Sequence, residues 1–120
     1  MSYQRTRLVV FACSHFAVDL CCFFSLYSGA AGSEHAALWV LVYNALAFGL
    51  QAPLGALADA LDDVRPVATL GLGLVAVGAM ARERFLIAIL LLGAGNALFH
   101  VGGAVGVLRH RPGDALYAGI

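Results

Sequence analysis

The sequence predicts an all-α integral membrane protein with four transmembrane helices, and three observations carry that reading. Hydrophobic residues make up 62% of the 120 and charged residues 12%, with a mean hydropathy of +0.88. An ordinary soluble domain carries about twice that share of charge, so the composition excludes one. The apolar residues also fall into four runs parted by short polar connections, as helices crossing ~30 Å of hydrocarbon require. Finally, Arg5, Arg7, Arg65, Arg109 and Arg111 lie on one side of those runs and only Arg82 and Arg84 on the other. By the positive-inside rule the N-terminus is then cytoplasmic and the protein sits, multi-pass, in a cytoplasmic (inner) membrane. The net charge is zero and Lys is missing, so neither a nucleic-acid footprint nor a polybasic lipid anchor is indicated.

Each element follows in order. Residues 1–7 form a short polar lead. Residues 8–27 make the first span, near the ~20 residues a bilayer needs. A cleaved signal peptide would have a shorter core and would seldom hold an Asp. Cys13, Cys21 and Cys22 all lie in this span, where thiols behave as small buried hydrophobes. The small and polar residues 28–35 read as an external loop, with His35 solvated.

Residues 36–58 make the second span, with Trp39 and Tyr43 placed for the outer interface. Asn44 and Gln51 are expected to hydrogen bond between helices, and Pro53 to shape this one. Residues 59–65 are the one strongly charged connection, and Pro66 opens the third span, residues 66–81, where Pro is tolerated. That span is short and rich in small residues, Gly71, Gly73 and Gly78, suited to close helix contact. Residues 82–84 are a minimal turn into the fourth span, residues 85–108, in which Gly102 and Gly106 give a small-xxx-small spacing. Residues 109–114 leave the membrane, and residues 115–120 read as the start of a truncated fifth span. The sequence therefore reads as one membrane region, residues 1–120, of a longer protein.

Four polar residues inside the spans carry the functional reading. An ionisable side chain at membrane depth costs a few kcal/mol or more, so it faces a bundle interior or a wet cavity and marks a site by default. His15 and Asp19 are spaced i, i+4, as are Asn96 and His100, so each pair shares one helix face. At about 1.5 Å per residue, His15 and Asp19 lie about 10 and 16 Å from the cytoplasmic face. On the antiparallel fourth span, Asn96 lies about 16 Å in from outside and His100 about 8 Å from the cytoplasmic face. The two pairs match in depth. If the first and fourth spans are neighbours, the pairs line one polar cleft in which Asp19, with a His, exchanges a proton while Asn96 contacts a solute. His15, Asp19 and His100 could instead make three metal ligands, but no paired-His motif accompanies them, and the sequence predicts no metal and no cofactor. With no nucleophile, base and orienter set either, it predicts no enzyme.

Residues Gly55, Leu57, Ala58 and Asp59 fit a cytoplasmic-loop signature, G-x-L-A-D-R-x-G-R-R/K, and with it the chain resembles the major facilitator superfamily of secondary transporters. The His15-Phe16-Ala17-Val18-Asp19 stretch and the run from Gly93 to His100 look more narrowly like its fosmidomycin-resistance type, which carries His-Phe-x-x-Asp on the first helix and Gly-x-Gly-x-Ala-x-Phe-His on the fourth. The Arg, Gly, Arg and Arg/Lys positions that follow in the signature are held here by Ala60, Asp62, Asp63 and Val64, with Arg65 just beyond. The resemblance implies the N-terminal part of a six-helix half of a twelve-helix transporter. It implies that Asp59 acts in a conformational loop, that the first and fourth helices line the cavity, and that the chain's partners are lipid, a small organic solute, protons and the remaining transporter helices. The expected function is thus proton-coupled movement of a small organic solute. Two other readings stand beside it: a complete four-helix exporter acting as a dimer, like the small multidrug resistance family, and a non-transporting scaffold subunit whose polar residues join helices.

Overall fold

The computed structural model describes residues 3–81 and 83–109, and among them the chain is all helical, with no strand. Helix α1 is Tyr3–Ala30, α2 Ala36–Gly49, α3 Gln51–Asp59, α4 Arg65–Met80 and α5 Phe85–Leu108. Three stretches are long and apolar enough to cross a membrane: Leu8–Ala30, Ala36–Asp59 and Phe85–Leu108. The chain is a helical membrane protein on that ground.

The boundaries depart from the sequence reading in ways that have physical causes. Helix α1 starts within the expected polar lead and runs on to Ala30, because nothing before Gly32 breaks it. Gly32 then takes a positive φ of 76° that other residues resist, and the chain turns there, with the Ala31 amide donating to Tyr27 O and the Ser33 amide to Ala30 O. The second expected span is two helices parted at Leu50. Pro53 has no N–H to give the Gly49 carbonyl, so the turn between them loosens. Asn44 and Gln51 do not bond to another span. Their amides fold back onto Val40 O at 2.9 Å and Ala47 O at 2.8 Å, each four residues earlier on the same segment.

Helix α4 is the one expected span that falls short of the membrane's thickness. Its 16 residues reach about 24 Å, less than the ~30 Å of hydrocarbon, so it falls below the length of the other spans. Val64 sits just outside it as the N-terminal cap residue. The expected fifth span at 115–120 lies outside the described residues, as do Arg82, His110 and Arg111.

Helix α5 is the hub of the bundle. It packs against each of α1 to α4 and most extensively along α4. Eleven of its 24 residues are buried, among them Ile89, Leu92, Asn96 and Phe99, whereas α2 buries only Ala47. Lipid is as apolar as the side chains themselves, so helix association here depends on close packing rather than on escape from water. Small residues supply it. A Cβ on Gly95 would stand 2.8 Å from Gly71 O, and one on Gly78 3.1 Å from the Leu92 amide, so the two backbones nearly touch along α4 and α5. Gly73 has open space beside it, and Gly106 makes only ordinary contact with Val64, so of the expected small-residue contacts these two are not close ones. The outer faces present Phe16, Leu20, Phe24 and Leu41, each more than half exposed, to the acyl chains.

Candidate functional site

Asp19 stands at the meeting of α1 and α5. Both helices approach closely because Gly103 leaves the room that the Phe11 ring fills, and that ring stacks on Phe99 with centroids 5.6 Å apart. This anchor lies about two turns from Asp19 along α1, and it brings the His15/Asp19 face of α1 against the Asn96/His100 face of α5. The structure thereby brings together all four residues chosen from the sequence.

The contacts converge on one carboxylate. Asn96 donates from Nδ2 to Asp19 Oδ1 at 3.1 Å, and His100 Nε2 lies 3.0 Å from that same oxygen. His15 Nε2 lies 3.1 Å from Oδ2. An ionised carboxylate only accepts, so each imidazole that bonds to it presents an Nε2 proton. The two rings stand edge to face, their centroids 4.3 Å apart at 89°. Phe11 flanks the His15 ring at 6.0 Å and Phe99 the His100 ring at 5.9 Å, which limits how far either can swing. Among the described residues, no buried side-chain nitrogen or oxygen lacks a partner.

The site is open on one side only. Asn96 is 3% exposed, while the Asp19 side chain is 49% exposed and faces a cavity of about 520 Å³ between α1, α2 and α5. Phe23, Leu26 and Tyr27 from α1 and Val40, Tyr43, Asn44 and Phe48 from α2 complete its lining. A largely apolar wall with a few converging polar groups is the usual make-up of a small-molecule site. Tyr43 was expected at the membrane interface. It lines the cavity and packs against the core around Cys22, because Gly93 lets α2 draw close to α5 at Leu46. Its spacing from Val40 and Asn44 puts the three on one face of α2, but nothing in the sequence says which way that face turns.

The loop motif behaves differently. Ala58 is buried against Val64 and Val101, Leu57 and Asp59 are exposed, and Gly55 has open space around it. A residue that sequence reasoning used only for its charge ties this end together. Arg109, just past α5, donates from Nη1 to Leu61 O at 2.7 Å and from Nη2 to Ala58 O at 3.1 Å and Asp59 O at 3.3 Å. A cation on the last carbonyls of α3 satisfies acceptors that the helix itself leaves free and complements its dipole.

Neither a protein-family profile, a curated protein nor a solved structure matches the chain.

Proposed function

We propose that this chain forms one wall of the solute path of a secondary active transporter, with His15, Asp19, Asn96 and His100 as its proton- and solute-handling residues. The observation that carries this reading is a single intramembrane carboxylate, clasped by two imidazoles and an amide at the edge of an open-sided cavity of about 520 Å³. A proton on Asp19 or on either ring redistributes over short contacts without moving a helix. A solute in the cavity meets the same groups. Coupling needs such a shared site, because proton and solute must influence each other's binding free energy there. The distribution of Arg supports a cytoplasmic N-terminus, and the resemblance to the major facilitator superfamily supports an opposite wall made by the remaining helices of a two-half transporter. On this reading the tie between Arg109 and the 58–62 backbone steadies the cytoplasmic end around Asp59.

The test is solute-driven proton movement into proteoliposomes that carry a trapped pH dye and the assembled transporter, this chain together with the helices of the opposite wall, with fosmidomycin and ethidium as the solutes offered. Wild-type protein moves protons with at least one of them, and Asp19→Asn, which keeps the shape and loses the charge, lowers the rate at least tenfold. Equal proton movement by Asp19→Asn would remove the carboxylate from the mechanism.

A further inference from the structure

We infer that His15, Asp19 and His100 form a binding site for one divalent transition-metal ion, open toward the cavity. Among the described residues their ligand atoms all lie within 4.8 Å of one another. Both Nε2 atoms face the carboxylate, at 3.1 Å from Oδ2 and 3.0 Å from Oδ1. Two ligand atoms on adjacent corners of an octahedron stand about 3.0 Å apart when each is ~2.1 Å from the metal, and about 3.4 Å apart in a tetrahedron. The two nitrogen–oxygen separations already lie at that spacing, and as the three ligand atoms, all within 4.8 Å, close on a cation, each neutral ring shifts its proton from Nε2 to Nδ1 and leaves the Nε2 lone pair for the metal. The inference concerns equilibrium binding and does not rest on the transport reading.

The surroundings are those of a built site. Asn96, almost wholly buried, holds Oδ1 from behind, as an outer partner holds a ligating carboxylate. Phe11 and Phe99 limit the two imidazoles from their outer sides. The helices, not loops, fix all three ligands, which is the condition for holding geometry to a few tenths of an ångström. Two imidazoles and one carboxylate suit Zn²⁺, Co²⁺ or Ni²⁺, whereas Mg²⁺ and Ca²⁺ prefer oxygen alone. One carboxylate against a divalent ion leaves a net positive charge. Three ligands from one side leave coordination positions facing the cavity, where water or an anionic oxygen of a solute completes the shell.

The experiment uses the full chain without a polyhistidine tag, in lipid nanodiscs, titrated with Zn²⁺ by equilibrium dialysis and with Co²⁺ by visible absorption. The expected result is one ion per chain and a Co²⁺ band without a thiolate charge-transfer feature. Asp19→Asn, His15→Gln and His100→Gln each weaken binding at least tenfold, Asn96→Leu by about 10- to 100-fold as an outer partner. The combined Cys13→Ser, Cys21→Ser and Cys22→Ala protein binds as wild type does. Should a variant fail to fold, wild-type protein still decides the matter: Zn²⁺, but not Mg²⁺, protects His15 and His100 from diethyl pyrocarbonate, read by mass spectrometry. No Zn²⁺ bound by wild type, binding that survives His100→Gln and Asp19→Asn, binding lost with the thiols, or no protection of the two rings overturns the inference. Metal binding without proton coupling would leave it standing and sink the transport reading alone.

Discussion

Asp63 and Asp19 are held by opposite means. Asp63, exposed in the charged connection, receives Arg65 Nε at 2.9 Å and Nη2 at 2.8 Å, and also the Arg65 amide at 3.0 Å. Those bonds from Arg65 hold its carboxyl below the ordinary carboxylate range. Because the folded-state value is the lower one, the stabilisation is present above the unfolded carboxylate's pKa and is lost as pH falls through the lowered folded value. A carbon-detected NMR titration should therefore place the Asp63 midpoint on the acid side of a free Asp, and Arg65→Gln should return it to the ordinary value. An unchanged midpoint in that variant would deny Arg65 the role. Asp19 is met instead by an amide and two imidazoles, partners whose protons can be exchanged or replaced. Those partners are legible in the sequence, because i, i+4 spacing fixes a shared face and the depths of two antiparallel helices fix which residues can meet. Tyr43, Asn44 and Gln51 are not. A ring about two turns inside a span suits an interface or a cavity equally, and an amide can turn to a neighbouring helix or back onto its own carbonyls.

At the scale of elements, the pairing of α4 with α5 decides the bundle, and glycine sets how close they come. A Cβ on Gly71 would stand 2.7 Å from Gly95 O and 2.9 Å from the Phe99 Cα, both backbone atoms that cannot swing aside. Gly71→Ala must therefore push the helices apart, and overpacking of this kind costs about 1–3 kcal/mol. Gly73, two residues on, has nothing within 4 Å of the added methyl. There the same substitution should be neutral or stabilise the helix by up to about 1 kcal/mol, the difference in helix propensity. Thermal unfolding in one detergent compares the two, and similar effects at both positions would refute the close-packed interface. The sequence showed small residues on both helices but could not say which faces meet, since the Asn96/His100 pair orients α5 toward α1 and the rest of the helix is apolar. Its place at the centre follows from packing against four partners, information that a single helix does not contain.

For the whole molecule the open question is how often the chain crosses the membrane, and α4 decides it. At 16 residues α4 is about 6 Å short of the hydrocarbon, a mismatch that costs a fraction of a kcal/mol per ångström. Close packing can meet a cost of that size. Helix α4 runs antiparallel to α5, with Gly78 opposite Leu92 at one end and Gly102 opposite Ala68 at the other, so it shares most of the depth of a helix that is long enough to cross. Arg109 fixes the far ends as well, since its bonds to the carbonyls of Leu61 and Ala58 set the 58–65 connection beside the C-terminal end of α5. That places the connection at the opposite end of the bundle from the turn before Phe85. Single cysteines at Ser33, Asp62 and Glu83, in a protein with Cys13→Ser, Cys21→Ser and Cys22→Ala, test the arrangement with a membrane-impermeant maleimide on intact cells. Ser33→Cys and Glu83→Cys should label from outside, and Asp62→Cys only after permeabilisation. Labelling of Asp62→Cys and Glu83→Cys from one side would mean that α4 does not cross. The depth match between α1 and α5 would then survive as packing, but the four-span arrangement, and the transporter wall proposed from it, would not.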